Sequence, residues 1–213
     1  MNKTYLCVLI VFIILIFSIK YVNIESFDNN KQLIFKQTLE DMKEILDLNN
    51  VSFFLCFGTA LGAYREKQFI EHDHDIDIAI FDFNIKIEDI IKLFKNNKKF
   101  KIVNTYPKNS DKKTEVSFKH KNTGIVLDIF EYTKKNNDYV AYTYNGLCKE
   151  KKNSRCEYVW ENGFKLNNIK FFNKIYKIPE KQYIISHYGD DWNIVKKYNY
   201  FESIDKKFRK NMV

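Results

Sequence analysis

The chemistry in this chain is concentrated in the segment His72-Asp73-His74-Asp75-Ile76-Asp77. Read as an extended strand, it alternates Asp75 and Asp77 on one face with Ile76, Ile78 and Ile80 on the other. Two carboxylates held side by side repel and raise each other's pKa unless a cation lies between them. The oxygen-donor set suits Mg²⁺ or Mn²⁺, which keep coordination positions open for phosphate oxygens. Alone, the same pattern also describes a half-exposed edge strand. A third acid, Asp128, stands inside the apolar run Ile125-Val126-Leu127-Asp128-Ile129-Phe130. An unpaired charge is costly to bury there. A cation shared with Asp75 and Asp77 would compensate it; a salt bridge to Lys or Arg is the alternative.

The elements that must position these acids follow from the hydrophobic pattern. Phe35, Leu39, Met42, Ile45 and Leu46 recur at helical spacing before Asn49-Asn50. Val51 to Phe57 reads as a strand stopped by Gly58, and Thr59 to Glu66 as a short helix with Thr59 available as its cap. Asp75 to Phe81 has strand periodicity and Ile87 to Phe94 helical spacing. Further strands are expected at Phe100 to Tyr106, Thr114 to His120 and Gly124 to Tyr132, with shorter ones at Tyr139 to Tyr144 and Phe164 to Phe172. Pro179 suits the first turn of a helix running to His187. The sum is an α+β domain, a mixed sheet flanked by helices.

With 213 residues, six Gly and two Pro, the chain has material for one core and little for long flexible linkers, and no solenoid or collagen-like repeat occurs. The net charge of +8 is compatible with nucleic acid, an anionic membrane or a phosphorylated substrate. Its lysines fall in short clusters with acids nearby, the pattern of solvated faces, and no basic-aromatic platform for bases is evident, which disfavours nucleic acid. Tyr5 to Ile19 is uncharged and apolar, and with its flank approaches the length of a membrane-spanning helix. We therefore expect an uncleaved anchor over 1–22, with a removed signal peptide as the alternative, a joint over 23–30 and one domain over 31–213, in a single-pass membrane protein with the domain lumenal or extracytoplasmic. Cys148 and Cys156 bracket a polar loop, where a disulfide and two unrelated thiols are both open readings. No second Cys or His pair stands at zinc spacing.

Phe57-Gly58-Thr59-Ala60-Leu61-Gly62-Ala63-Tyr64-Arg65, the pair Phe69-Ile70 and the aspartate-rich strand together resemble the LicD and fukutin family of nucleotidyltransferase-fold proteins. Val126 to Phe130 is similar to that family's third carboxylate strand, and Ile178-Pro179 through Tyr188-Gly189-Asp190-Asp191-Trp192 to its closing element. The resemblance implies phosphoryl transfer of phosphocholine, or of a sugar or polyol phosphate, from a cytidine-diphosphate donor to a glycan. It implies Asp75, Asp77 and Asp128 as catalytic metal ligands, with Asp128 as the proton acceptor or a ligand alone. Gly58, Thr59, Arg65, Asp73, Asp190, Asp191 and Trp192 would contact substrate, Gly58 and Thr59 through amides at a helix start and Arg65 by meeting phosphate or bracing the acidic strand. Glu71-His72 and His74 depart from the family pattern of Pro-Trp before the acidic run and Asp within it, which touches substrate geometry more than metal binding. A nucleotidyltransferase acting on RNA or protein, and a catalytically inactive interaction module of the same fold, are the rival readings.

Overall fold

The computed structural model describes residues 29–108, 110–144 and 156–196. Residues 29–48 form helix α1, which buries Phe35, Leu39, Met42 and Leu46 along one stripe. There follow β1 (Phe54–Leu55), α2 (Phe57–Arg65), β2 (Asp75–Phe81), α3 (Ile87–Phe94), β3 (Phe100–Tyr106), β4 (Glu115–His120), β5 (Val126–Lys135), β6 (Asp138–Thr143), β7 (Cys156–Trp160), β8 (Leu166–Phe171), β9 (Lys174–Pro179) and α4 (Lys181–Tyr188).

Seven strands make one sheet in the order β1-β2-β5-β4-β3, with β6 paired to the far half of β5 and β7 to β6. β2 and β5 are the parallel pair among the described strands, in the register Asp75↔Val126, Asp77↔Asp128 and Ala79↔Phe130. β8 and β9 form a separate hairpin.

Strand alternation assigns the two faces of this sheet different tasks. Ile76, Ile78, Ile80, Val116, Phe118, Leu127 and Ile129 are fully buried on one of them. Helices α1 and α3 lie on that side, and polar contacts fix both. His120 pairs through Nε2 with Asp41 at 3.0 Å, the Thr38 and Thr123 hydroxyls meet at 2.6 Å, and the first amide of α3, at Ile87, donates to Glu131 Oε2 at 3.0 Å. The opposite face carries the acids and meets α2 and α4. Beside the acids it is sealed by aromatic rings, among them Trp160 stacked on Tyr183 at 4.9 Å and Phe57 edge-on to Phe130 at 4.9 Å.

Several elements differ from expectation. β1 has two residues instead of seven, because the chain turns into α2 at Phe57, whose φ of 40° is left-handed. α2 has no side-chain cap; the Thr59 hydroxyl accepts the Asp77 amide at 2.8 Å instead. Pro179 ends β9, and the helix begins after it. Cys156 is disulfide-bonded, while Cys148 lies outside the described residues. Cys56 is a buried free thiol.

The expected fold class placed a transmembrane helix before the sheet domain, and the expected location was a single-pass membrane protein. Both are corrected: no described helix is long and apolar enough to cross a membrane. The longest of them, α1, carries Lys31, Lys36, Glu40, Asp41, Lys43, Glu44 and Asp47, charges that the hydrocarbon layer does not accept. The segment 1–22 read as the anchor lies outside the described residues. The architecture is mixed α+β around a multi-stranded sheet.

Candidate metal centre

The parallel pairing of β2 with β5 puts Asp77 and Asp128 directly opposite each other, with Asp75 two residues before Asp77 on the same face. One carboxylate oxygen from each of the three lies within 4.8 Å of the other two. The Gly58 amide, at the start of α2, donates to Asp77 Oδ2 at 3.1 Å. Cys56 donates its amide to the Asp77 carbonyl at 3.2 Å, so the turn into α2 grips Asp77 through main chain and side chain together. A Cβ at Gly58 would stand 2.5 Å from Asp73 Oδ2 and 3.3 Å from Asp77 Oδ2, so any other residue here displaces the Asp73 carboxylate.

The electrostatics of the cluster are those of buried, closely spaced acids short of compensating charge. Burial, and then the charges of Asp75, Asp73 and Asp128, push the Asp77 carboxyl well up. Burial also raises Asp75, against the influence of His74. Asp128 is raised to about 7 by burial and by Asp75, although a Ser117 hydrogen bond opposes the rise. Asp128 Oδ1 is buried with no partner among the described residues. Three converging, under-compensated carboxylates with an orphaned oxygen fit a divalent, oxygen-preferring cation. Among the described residues, no other group of acids, histidines or cysteines has this geometry.

The centre opens into a cleft of about 780 Å³. Gly58, Arg65, Asp73, Asp191 and Trp192 line it, whereas Thr59 is buried behind and Asp190 is exposed outside the lining. Asp73 is raised to about 7 by burial and by Asp75, and the Lys31 ammonium, bonded to its carbonyl at 2.7 Å, moderates the rise. Arg65 forks onto Glu66 at 2.6 and 3.0 Å and reaches the Trp192 carbonyl at 3.4 Å, so it ties α2 to the segment after α4. Asp191 pairs with Lys196, and Trp192 meets Tyr64 edge-on at 6.4 Å.

Residues that sequence reasoning passed over also form the cleft. Glu115 and Ser117 of β4 share the acidic face, Ser117 opposite Asp128 and Glu115 opposite Phe130. The same parity argument that found Asp75 and Asp77 would have found them, because Glu115-Val116-Ser117-Phe118 alternates polar with apolar. Tyr183 is different in kind. It is 1% exposed, accepts the Phe57 amide at 3.1 Å and meets the Tyr132 hydroxyl at 2.9 Å, thereby holding the left-handed residue next to Gly58. No local pattern signals that contact.

The fold is thus a mixed sheet whose parallel strands β2 and β5 present three converging carboxylates, a group that could hold a metal ion, beside a Gly-Thr helix start. The family model described as LicD/FKTN/FKRP, nucleotidyltransferase domain, matches residues 50–181, and the chain belongs to that family. It is 29% identical to the ribitol-5-phosphate transferase FKTN of Macaca fascicularis over 161 residues, 75% of this chain and 33% of that protein. The human protein of the same name is 28% identical over the same shares. An uncharacterized protein of Rickettsia typhi is 36% identical over 66 residues, 30% of this chain and 21% of its own length. The chain thus spans about a third of the length of the transferases it matches.

Proposed function

We propose that this chain is a divalent-cation-dependent transferase that moves a phosphate-linked group, phosphocholine or a sugar or polyol phosphate, from a cytidine-diphosphate donor to a hydroxyl of a glycan. The observation that carries the reading is the meeting of Asp75, Asp77 and Asp128 within 4.8 Å in the lining of a cleft, in a chain of this family.

Asp75, Asp77 and Asp128 would hold Mg²⁺ or Mn²⁺. Such a cation, when bound, neutralises charge on the donor diphosphate and on the departing nucleoside monophosphate. Gly58 and Thr59 hold Asp77 in place from both sides, one by its amide on the carboxylate and the other by its hydroxyl under the Asp77 amide. The Gly58 amide is committed to the Asp77 carboxylate and the Thr59 hydroxyl to the Asp77 amide, so they order the site instead of touching the donor directly. Arg65, paired with Glu66, and Lys196, paired with Asp191, stand in the cleft wall, where donor phosphates would compete with those carboxylates for them. Asp128 Oδ1 is a buried acceptor with no partner among the described residues. As a ligand it stays ionised and weakly basic, which favours a holding role over proton abstraction.

The test is release of nucleoside monophosphate from a panel of CDP- and UDP-linked donors with Mn²⁺, beside Asp75→Ala and Asp77→Ala. CMP released by the natural chain and lost in both variants supports the proposal. A folded, cation-binding protein that releases nothing from any donor, with glycan acceptors supplied, defeats it.

A further inference from the structure

Beyond the three aspartates, the floor of the cleft remains polar. The ladder row that begins with Asp77 and Asp128 continues through Ser117 to Asn104, and in the neighbouring row Glu115 faces Tyr106. Glu115 is 8% exposed and its Oε2 is buried without a partner among the described residues. A backbone hydrogen bond at Tyr144 holds the Glu115 carboxyl in place. The Tyr144 hydroxyl is itself buried and without a partner among the described residues, and its ring stacks on Tyr106 at 5.3 Å with an interplanar angle of 12°. Both side chains line the cleft, not the hydrophobic core. Buried polar atoms left unmatched are costly, and two in one wall mark the place where a ligand supplies the partners.

We infer that this end of the cleft is a subsite for a polyhydroxylated group borne on a phosphate ester, read through hydroxyls by Glu115 and Tyr144. The inference rests on the reading of the three carboxylates as the phosphate end of the cleft. A hydroxyl both donates and accepts, so neighbouring hydroxyls satisfy the Glu115 carboxyl in either protonation state and the Tyr144 phenol as well. The flat tyrosine pair offers its faces to the C–H side of such a group. A trimethylammonium group could meet the tyrosine faces and the Glu115 charge, but it has no donor or acceptor for the Tyr144 hydroxyl, so that hydroxyl is the atom that separates the two classes. Glu115 sits one strand across and two residues along from Asp128, roughly 8 Å by sheet spacing, so carbons a few bonds from a phosphate at the aspartates reach it. The hydroxyls have two chemical sources, an alditol or sugar phosphate in transfer or the ribose of the nucleotide.

Calorimetric titration of the full chain in Mn²⁺ tests this with ribitol 5-phosphate, phosphocholine, CMP and 2′,3′-dideoxy-CMP, against Tyr144→Phe and Glu115→Gln. A hydroxylated phosphate is expected to bind about tenfold more tightly than its hydroxyl-free counterpart, and Tyr144→Phe to remove most of that margin while leaving the counterpart's affinity unchanged. A margin for ribitol 5-phosphate over phosphocholine assigns the subsite to the transferred group; a margin for CMP over dideoxy-CMP assigns it to ribose. No margin in either pair, or margins that survive both variants with folding intact, overturns the subsite while metal-dependent phosphate binding leaves the transferase reading standing. Absence of any Mn²⁺-dependent phosphate binding overturns both.

Discussion

The amide of Gly58 and the carboxylate of Asp77 are joined by a 3.1 Å hydrogen bond across the turn that opens α2, and a Cβ at Gly58 would meet the Asp73 carboxylate beside it. Gly58→Ala would drive Asp73 aside and press on Asp77, while the helix gains a residue that suits it. The expected outcome is a fold intact to within a few degrees of melting temperature and a roughly tenfold or greater loss of Mn²⁺ affinity, since such supporting contacts tune ligands by that order. Unchanged affinity in calorimetry would show that Asp77 needs no such support.

Carboxyls with raised folded-state pKa values set the direction of the pH dependence. Unfolded, these acids titrate near 4; folded, Asp73 and Asp128 titrate at about 7 and Glu115 at about 8. Between those limits the folded state binds more protons than the unfolded one, so the cation-free protein loses stability as pH rises from about 4 to about 8. Mn²⁺ stabilises the ionised cluster and competes with protons for it. Thermal melts are therefore expected to show a Mn²⁺-induced shift that is small at pH 5 and grows toward pH 8. A shift independent of pH would place the cation elsewhere.

Asp128→Asn separates stability from function in one substitution. Removing a buried charge from an uncompensated cluster is expected to raise the cation-free stability at pH 8 by about 1–2 kcal/mol, and to abolish the Mn²⁺-induced shift. Urea unfolding with and without the ion measures both effects. Destabilisation at pH 8 together with a retained shift would remove Asp128 from the centre.

Tyr183 and the turn at Phe57 make a separable prediction. Tyr183→Phe leaves the Phe57 amide and the Tyr132 hydroxyl without their shared partner in a dry aromatic shell, at an expected cost of about 1–3 kcal/mol in urea unfolding. Because Phe57 precedes Gly58, Mn²⁺ affinity should weaken in the same variant. Loss of stability with full affinity would confine Tyr183 to packing.

What was legible in the chain was whatever one strand or one helix decides alone. Parity placed Asp75 with Asp77, and apolar spacing located α3 and β3. The boundaries near the site were less legible because tertiary contacts set them. Thr59 has the chemistry of a cap but spends its hydroxyl on Asp77, and β1 shrinks to Phe54–Leu55 because the chain must enter α2 through a left-handed Phe57. Asp128 could be flagged as an acid in an apolar strand, yet only the parallel register of β5 on β2 brings it opposite Asp77. Pro179 matched a helix start by residue type and closes a strand instead, its carbonyl taken by the Tyr64 hydroxyl at 2.7 Å. Composition near the N-terminus spoke of lipid, and none of the described helices has the apolar length to cross it.

The parallel register of β2 and β5 also orders events in time. Antiparallel neighbours such as β3 and β4 can zip from a turn, but Asp77 and Asp128 are some fifty residues apart in sequence and meet only after everything between them has been made and folded back. A chain still emerging from synthesis therefore holds Asp75 and Asp77 without their third partner. On the proposed reading, a cation held by the three aspartates would be captured late, as a seal on a finished fold and not as a nucleus for it.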